Sequence, residues 1–537
     1  MKKIILLVVL FSFMAEFVPP AMAIEVDFSG SLQVEGILNS SERMLNEDST
    51  SDFRQMRLRV QTEFTITDDL KLVTRFDALE KVLSSKDSAF DIANQPTGWD
   101  YNTDQNNIDF DRAYLSWKSP VGLLEVGRMA GVTWGTTFCD DESDTDRIKY
   151  ILPVSLGQGK LYIGLVAEKV TENDKGPEMS DADNDKYYLN ATYVTKNYRT
   201  GLVWSLYNFK KFQDPGQSFA TKAFSDIYKD QMAYSPMELA GAVGDYKGKL
   251  PGHLGGFGAA VAADGGVPGV NAAAYLKNNP DFVSLGAPVA FGGSANDPMN
   301  VLATRGATME AKVFLLSPYF VGKFGDFSIS SELAYVFGTA EYDTLGAEDR
   351  DLKTYAFFIE GGYDLGPFTF QLGFANSKGD ADYTDDKIES MGYVSPGVDW
   401  KKLLILHDDV TGMNTTLANG IGNHVGAGFA TPSTAMLDGY KLFYAGVDYA
   451  VTDTISLGFI AGMSKADEVP TGLQYDDDQG VEYDATFTWN LTKNLQYKAV
   501  AAYLDGGDYW KTRQAGTVNP NIDPDIYTLY HKLTLTF

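Results

Sequence analysis

Residues 527–537 read Tyr-Thr-Leu-Tyr-His-Lys-Leu-Thr-Leu-Thr-Phe and alternate between two kinds of side chain. One face is apolar and the other polar: Tyr527, Leu529, Leu533, Leu535 and Phe537 against Thr528, Lys532, Thr534 and Thr536. This period of two predicts a β-strand with two chemically different faces. His531 is the odd residue on the apolar side, and we expect either a neutral imidazole or a local shift of register there. Because an unpaired edge strand invites aggregation, the fold depends on which strand pairs with this one.

The composition excludes several classes of protein. The chain has 537 residues, a formal net charge of −28 and one cysteine, Cys139. This length exceeds that of an ordinary single soluble domain, so it indicates several domains or one large repetitive architecture. A strongly acidic chain lacks the basic face that nucleic acid requires, so no nucleic-acid partner is expected. A lone cysteine allows neither a disulfide framework nor a thiolate metal cluster.

The first 23 residues have the pattern of an export signal. Lys2 and Lys3 precede an apolar run over residues 4–13, and Ala21-Met22-Ala23 supplies small residues at a cleavage site. The pattern predicts a signal peptide over residues 1–23 and an exported chain over residues 24–537. No later run approaches the roughly 20 apolar residues of a spanning helix.

Short and long connections alternate along the whole chain. The short turns are predicted at 67–69, 119–122, 156–159, 196–197, 323–326, 364–367, 452–453 and 492–494. The long connections are predicted at 39–52, 80–107, 129–144, 171–185, 210–306, 338–352, 377–436, 464–478 and 506–525. Loops of this length are unusual in compact soluble domains. Transmembrane barrels have this arrangement, with tight periplasmic turns and long extracellular loops.

The segments between these connections read as membrane-spanning strands. About eighteen are predicted, with sixteen as the alternative, and an even number is typical of bacterial outer-membrane barrels. Many have one apolar face, for example Phe327, Ile329, Leu333 and Tyr335, or Val481, Tyr483, Ala485, Phe487 and Trp489. The predicted fold is therefore all-β: a single transmembrane, antiparallel, up-and-down β-barrel over residues 24–537.

With these features the chain resembles Gram-negative outer-membrane porins. Phe537 resembles the aromatic residue that the barrel assembly machinery recognises. The segments 127–128, 134–136 and 146–147 (Gly-Arg, Trp-Gly-Thr and Asp-Arg) resemble larger porin-like chains of about eighteen strands, including substrate-selective and alginate-export types. The resemblance implies a channel in the bacterial outer membrane, surrounded by lipid and lipopolysaccharide, as a monomer or a homotrimer.

Charged residues are the candidates for the pore lining. Alternation assigns seven basic side chains to the lumen: Arg57, Arg59, Lys71, Arg75, Arg112, Arg147 and Lys149. The third long loop carries Asp140, Asp141, Glu142 and Asp144. If this loop folds inward, basic wall and acidic loop create a transverse field that filters solutes by charge. Alternatively, the loop is an external solvated one and the arginines pair with Glu63 and Asp77. Periodicity does not distinguish the two.

Two connections are far larger than the others, at 210–306 and 377–436. The second contains a short segment at 399–407 that is apolar at Leu403, Leu404 and Leu406. Either connection could cap the barrel, plug it or bind a ligand, or could simply pack on its surface.

Metal and catalytic signals are weak. Asp181, Asp183 and Asp185 resemble the first half of a calcium loop, but the later Gly and Glu are missing. The four histidines have no metal-ligand spacing, and no nucleophile or nucleotide-binding motif occurs. We expect no enzyme, no cofactor and no built metal site, with calcium bound by acidic loops as the alternative.

Three functions fit this barrel. The first is a water-filled channel for passive diffusion of small hydrophilic or charged solutes. The second is a sheath or conduit that houses a partner protein, and the third is a gated channel for uptake of a specific substrate or export of a polymer. A constricting loop inside the barrel would favour a channel, whereas a lumen without one would favour the conduit.

Overall fold

A computed structural model describes residues 24–40, 51–83, 108–131, 133–139, 144–172, 183–213, 308–342, 349–382, 386–391, 400, 402–406, 438–469, 475–512 and 523–537. The predicted signal peptide at 1–23 and most of the loop at 210–306 lie outside these ranges.

Alternating side chains produce nineteen strands, of which eighteen are long. They are β1 (Glu25–Asn39), β2 (Ser51–Thr67), β3 (Leu70–Val82), β4 (Ile108–Ser119), β5 (Gly122–Ala130), β6 (Asp144–Leu156), β7 (Gly159–Thr171), β8 (Asn184–Val194), β9 (Tyr198–Gln213), β10 (Thr308–Phe324), β11 (Phe327–Tyr342), β12 (Arg350–Leu365), β13 (Phe368–Ser377), β14 (Lys387–Ile388), β15 (Tyr440–Ala450), β16 (Ile455–Lys465), β17 (Asp478–Thr492), β18 (Leu495–Gly506) and β19 (Ile526–Thr536). The two-residue β14 pairs in parallel with the start of β12, inside a long loop.

The long strands form one closed antiparallel barrel. Each pairs with its neighbours in chain order, β13 pairs with β15, and β1 pairs with both β2 and β19. Closure satisfies the backbone hydrogen-bonding groups that an open sheet would leave exposed. The predicted barrel of eighteen strands is confirmed, as are the eight short turns. All of these turns lie at one end of the barrel and the long connections at the other.

Burial alternates along the strands as the sequence predicts. On β11, Glu332 and Ala334 are buried, whereas Leu333 between them is exposed. On β12, Phe358 is buried and Ile359 is exposed. The exposed apolar side chains point outward, and the buried set points into the barrel. The outer surface is thus the apolar face that a transmembrane barrel presents to lipid.

The stretch at 527–537 closes the barrel. Its pairing with β1 runs without interruption from Ser31 opposite Thr536 to Asn39 opposite Thr528. Of the two alternatives considered for His531, the local shift of register is therefore wrong. His531 lies opposite Gly36, and a Cβ added at Gly36 would stand 2.4 Å from the His531 Nε2, so the glycine makes room for the ring.

A β-bulge shapes the inner face of β4. Arg75 on β3 pairs with Arg112, and Phe76 pairs with Phe110, so that Asp111 is the extra residue. Such a bulge breaks the strict alternation. Asp111 and Arg112 consequently both reach charged partners inside the barrel.

Two short helical turns complete the described structure: a 3₁₀ turn at Thr137–Cys139 and helix α1 at Asp508–Thr512. Within the described ranges, no helix is long and apolar enough to cross a membrane.

Candidate functional site

Strands β2 to β4 and the start of β6 carry a chain of ion pairs on the inner face of the barrel. We call it the charged wall: Arg57, Arg59, Asp77, Arg75, Asp111, Arg112 and Asp144. Arg59 binds Asp77 in a bidentate manner, with Nε–Oδ1 and Nη2–Oδ2 distances of 2.7 and 2.6 Å. Such fork-shaped contacts fix the geometry of both partners.

Arg75 lies at the centre of the charged wall. Its Nε donates to Asp111 at 2.9 Å and its Nη2 to Asp144 at 2.6 Å. Asp144 also accepts from the Arg112 Nε at 2.5 Å. Arg57 lies 4.0 Å from Asp77, and Arg59 lies 3.6 Å from Asp111. Positive and negative groups therefore alternate through the wall.

Both sequence-based alternatives are realised in part. As in the second alternative, Arg59 pairs with Asp77. Glu63, however, pairs with Lys71 at 3.0 Å and not with an arginine. As in the first, Asp144 lies against the basic side chains of the wall, although it begins strand β6 rather than belonging to the loop. Among the described residues, the charged wall contains four arginines and three aspartates.

The other side chains predicted to line the pore either lie outside the charged wall or belong to residues that the structure does not describe. Arg147 pairs with Glu168 on β7 and donates to the Gly131 carbonyl at 3.0 Å. Lys149 pairs with Glu125 at 2.5 Å. These pairs lie beside the charged wall. Asp140, Asp141 and Glu142 lie outside the described residues, so their predicted place in the pore stays a prediction.

The third long loop folds into the barrel over its described residues, a point that sequence periodicity left open. We call its described part, residues 133–139, the inward loop. The Trp134 Nε1 donates to the Ser317 carbonyl on β10 at 3.0 Å. The backbone N–H and hydroxyl of Thr136 donate to Glu332 on β11 at 2.8 and 2.6 Å. Because Ser317 and Glu332 are buried inner-face residues, the loop crosses the interior to the far side.

A second segment lies inside the barrel, within the loop predicted at 377–436. We call it the inward turn: Trp400 and residues 402–406. Its backbone N–H groups are held by two carboxylates of β17, Glu482 and Asp484. Lys402 also donates to Glu360 on β12 at 2.5 Å. Of the roles considered for this loop, the described residues support a plug that fills part of the lumen.

Aromatic contacts join the two inward segments. The Phe138 ring lies 5.1 Å from the Trp400 ring and 4.8 Å from that of Phe358 on β12, measured between centroids. Phe138 is 2 % exposed. The inward loop and inward turn therefore pack together against the inner faces of β10 to β17. We call these two segments, together with the inner-face residues that hold them, the packed wall.

Polar groups tie the long connections together above the packed wall. Asp467 accepts hydrogen bonds from the Gly379 N–H and the Asn376 amide, and pairs with Lys441. Burial alone would raise the pKa of the Asp467 carboxyl, but these hydrogen bonds and the nearby Lys378 hold it below its usual value of 3.8. Asp467 thus stays ionised at neutral pH.

A lysine side chain of β7 pairs with two aspartates of the acidic stretch considered for calcium. The Lys169 Nζ lies 2.6 Å from Asp183 and 2.9 Å from Asp185. Among the described residues, no group of three or more His, Cys, Asp or Glu side chains is arranged to hold a metal ion.

Several residues of the site were missed at the level of sequence, notably Glu332, Glu360, Glu482 and Asp484. A signal for them existed, because each is a carboxylate at an inward position of a strand whose outer face is apolar. Glu482 and Asp484 flank the outward Tyr483, for example. The partner of each of these carboxylates is far away in the sequence, so no local sequence pattern identifies it.

Comparisons with known proteins give structural similarity only. No family model and no curated protein matches the sequence. Solved structures with a similar barrel include OccK8 (OprE) of Pseudomonas aeruginosa, with 10% identity, 95% of this chain and 98% of that chain covered, and a TM-score of 0.44. OccAB4 of Acinetobacter baumannii has 9% identity, 97% and 100% coverage and a TM-score of 0.43.

OmpT, an outer-membrane protein of Vibrio cholerae, has 11% identity, covers 96% of this chain and 100% of its own, and gives a TM-score of 0.35. Similarity at this level assigns neither a family nor a substrate to the chain. The functional argument therefore depends on the geometry of the barrel interior.

Proposed function

We infer that the chain is a channel of the bacterial outer membrane, through which small hydrophilic or charged solutes diffuse passively. The apolar outer surface of the closed barrel supports a place in a membrane. The observation that carries the proposal is the contrast inside the barrel. Side chains of the charged wall remain partly exposed, 22% for Arg59 and 20% for Arg112, while the packed wall fills the opposite side.

The constriction lies between these two walls. A solute that passes there meets guanidinium and carboxylate groups on one side and a fixed aromatic and backbone surface on the other. Rings of charged side chains at a narrowing select ions by sign. The arginine and aspartate side chains of the charged wall therefore filter solutes by charge.

Of the alternatives, the conduit receives the least support. The inward loop and inward turn occupy interior space that a housed partner protein would need. A gated channel shares the geometry of the leading proposal, and the conductance of the native protein separates the two. A passive pore conducts ohmically without a ligand, whereas a closed gate is silent.

Planar-bilayer recording of the purified protein tests the proposal. We expect a steady ohmic conductance and a non-zero reversal potential in a salt gradient. Arg57→Ala, Arg59→Ala and Arg75→Ala should each move the reversal potential towards cations, because each removes a positive charge from the constriction. Lys149→Ala is the matched control, since Lys149 pairs with Glu125 outside the charged wall.

Silence of the native protein would contradict the open channel. Conduction with the same reversal potential in all three arginine variants would contradict the role of the charged wall.

Other predictions stand without a test in the described structure. They are the signal peptide at 1–23, assembly through Phe537, contact with lipopolysaccharide, a homotrimer, and calcium bound by acidic loops. The structure adds one fact about Phe537: its backbone exchanges two hydrogen bonds with Gly30, at 2.9 and 3.1 Å. Phe537→Ala keeps these bonds and removes only the ring, so it is a cleaner probe of an assembly signal than a deletion.

A further inference from the structure

One row of directly paired residues, which runs across neighbouring strands of the packed wall, fits the shape of the inward turn. The row runs through directly paired residues on five neighbouring strands: Glu360 on β12, Gly373 on β13, Tyr444 on β15, Gly462 on β16 and Glu482 on β17. All five lie on the inner face. The row thus presents two glutamates at its ends, a tyrosine at its centre and a glycine on either side of the tyrosine.

Both glycines leave space that another side chain uses. A Cβ at Gly373 would stand 2.1 Å from the Tyr444 ring, because that ring lies across Gly373 and its hydroxyl donates to Glu360 at 2.6 Å. A Cβ at Gly462 would stand 2.8 Å from Leu403 of the inward turn. Leu403 is fully buried there. The wall therefore has a depression that matches one side chain of the turn.

The two ends of the row hold the turn by polar contacts. Glu482 uses both carboxylate oxygens, which accept from the Ile405 and Leu406 N–H groups at 2.7 and 2.8 Å. Asp484, two residues along β17, accepts from the Leu404 N–H at 2.9 Å. At the other end, Glu360 accepts from Lys402. Loss of one of these acceptors would leave a buried backbone N–H group of the turn unsatisfied, which is costly.

We propose that this row is a built-in seat that fixes the inward turn inside the barrel and thereby sets the width of the pore. Glu482 is the principal positioning residue. It touches no solute in this arrangement, because it is fully buried beneath the turn, and it acts through the backbone of Ile405 and Leu406. The role in pore width rests on the proposed channel function, whereas the anchoring of the turn does not.

Two isosteric substitutions on β17 each remove one carboxyl group. A difference between them therefore reports the contacts with the inward turn and not the loss of an acidic side chain. In Glu482→Gln, the side chain keeps one acceptor oxygen and places an NH₂ donor against a backbone N–H donor, so one contact becomes repulsive. In Asp484→Asn, one oxygen suffices, because only Oδ2 accepts a hydrogen bond from the turn. The seat therefore predicts a large effect of Glu482→Gln and a small effect of Asp484→Asn.

Labelling of a buried thiol measures the anchoring without reference to conduction. The full chain with Cys139→Ser and Leu403→Cys is incubated with N-ethylmaleimide. We expect Glu482→Gln to accelerate labelling by about tenfold, which corresponds to about 1.4 kcal/mol. Asp484→Asn should label at nearly the parent rate. Glu35→Gln is the matched control, because Glu35 is equally buried but accepts from Gln55 and Tyr530 on other strands.

Single-channel recording of the same variants, without the added thiol, measures the pore. Glu482→Gln should raise the conductance about twofold, since pore dimensions govern permeation, and Glu35→Gln should leave it unchanged. Unaltered labelling in Glu482→Gln, or equal acceleration in Glu35→Gln, would overturn the seat even if the protein conducts. Faster labelling in Glu482→Gln with no conduction by any variant would support the anchoring and overturn the control of pore width, together with the proposed function.

Discussion

Carboxylates on the two sides of the barrel interior have different partners. In the charged wall, Asp77 and Asp111 bind arginine side chains of neighbouring strands. In the packed wall, Glu332 and Glu482 bind backbone N–H groups of segments that enter the lumen. The first arrangement leaves charge at a partly exposed surface. The second uses carboxyl oxygens as hydrogen-bond acceptors that hold the chain itself in place.

This difference assigns separate tasks to the two walls. Glu482 is completely buried beneath the inward turn and therefore does not contact a passing ion. Arg59 and Arg112 of the charged wall keep part of their surface open and therefore act on solutes. We expect the packed wall to govern the size of the pore and the charged wall to govern its preference for ions of one sign.

The largest effect is expected from Phe138→Ala. Phe138 is the contact between the inward loop and the inward turn, and the loss of a buried phenylalanine costs about 3–5 kcal/mol. We expect the inward loop to detach transiently, which bilayer recordings would show as flickering current at an unchanged reversal potential. Phe370→Ala is the matched control, because Phe370 lies on the exposed outer face of β13.

Steady current in Phe138→Ala, indistinguishable from that of the native channel, would show that the packed wall does not limit the pore. A changed reversal potential would show that the two tasks are not separate.

An intermediate effect is expected from Asp144→Asn. This change removes one negative charge beside Arg75 and Arg112 and keeps the shape of the side chain. It should shift the reversal potential towards anions, opposite to the arginine variants, and destabilise the barrel by about 3 kcal/mol, because it breaks a buried ion pair. Thermal unfolding and bilayer recording measure the two effects.

Asp146→Asn is the matched control for Asp144→Asn, since Asp146 lies two residues away and its side chain is 62% exposed. An equal shift of the reversal potential in both variants would indicate a diffuse surface effect instead of a local one.

The sequence could predict the barrel but not its interior contacts. Alternation and turn spacing depend on local geometry, so they are readable at each strand, and β11 and β17 were recognised from their outer faces alone. The same alternation places Glu332 and Glu482 on the inner face. It does not reveal their partners at Thr136 and Ile405, because those contacts bring together distant segments.

The charged wall was predicted more fully than the packed wall, for a related reason. Its arginines lie on neighbouring strands, and antiparallel pairing in chain order brings them together. The bulge at Asp111 was not recognised, although the outward residues change from even positions at Phe110 to odd positions at Ala113. The places of Asp77 and Asp144 between two arginines each depend on side-chain conformations that no periodicity encodes.

The smallest effect is expected from Lys71→Ala, which tests where the charged wall ends. Lys71 was predicted to line the pore, but among the described residues its ion pair is with Glu63 on the neighbouring strand, and its side chain is 43% exposed. Pairs of this kind contribute little to stability, because water screens them. We expect an unchanged melting temperature and a shift of the reversal potential smaller than that of Arg59→Ala, the matched variant on the adjacent strand. If Lys71→Ala shifted it as much as Arg59→Ala, the selective surface would extend along β3 towards the short turns, and the constriction would not be confined to the level of the inward loop.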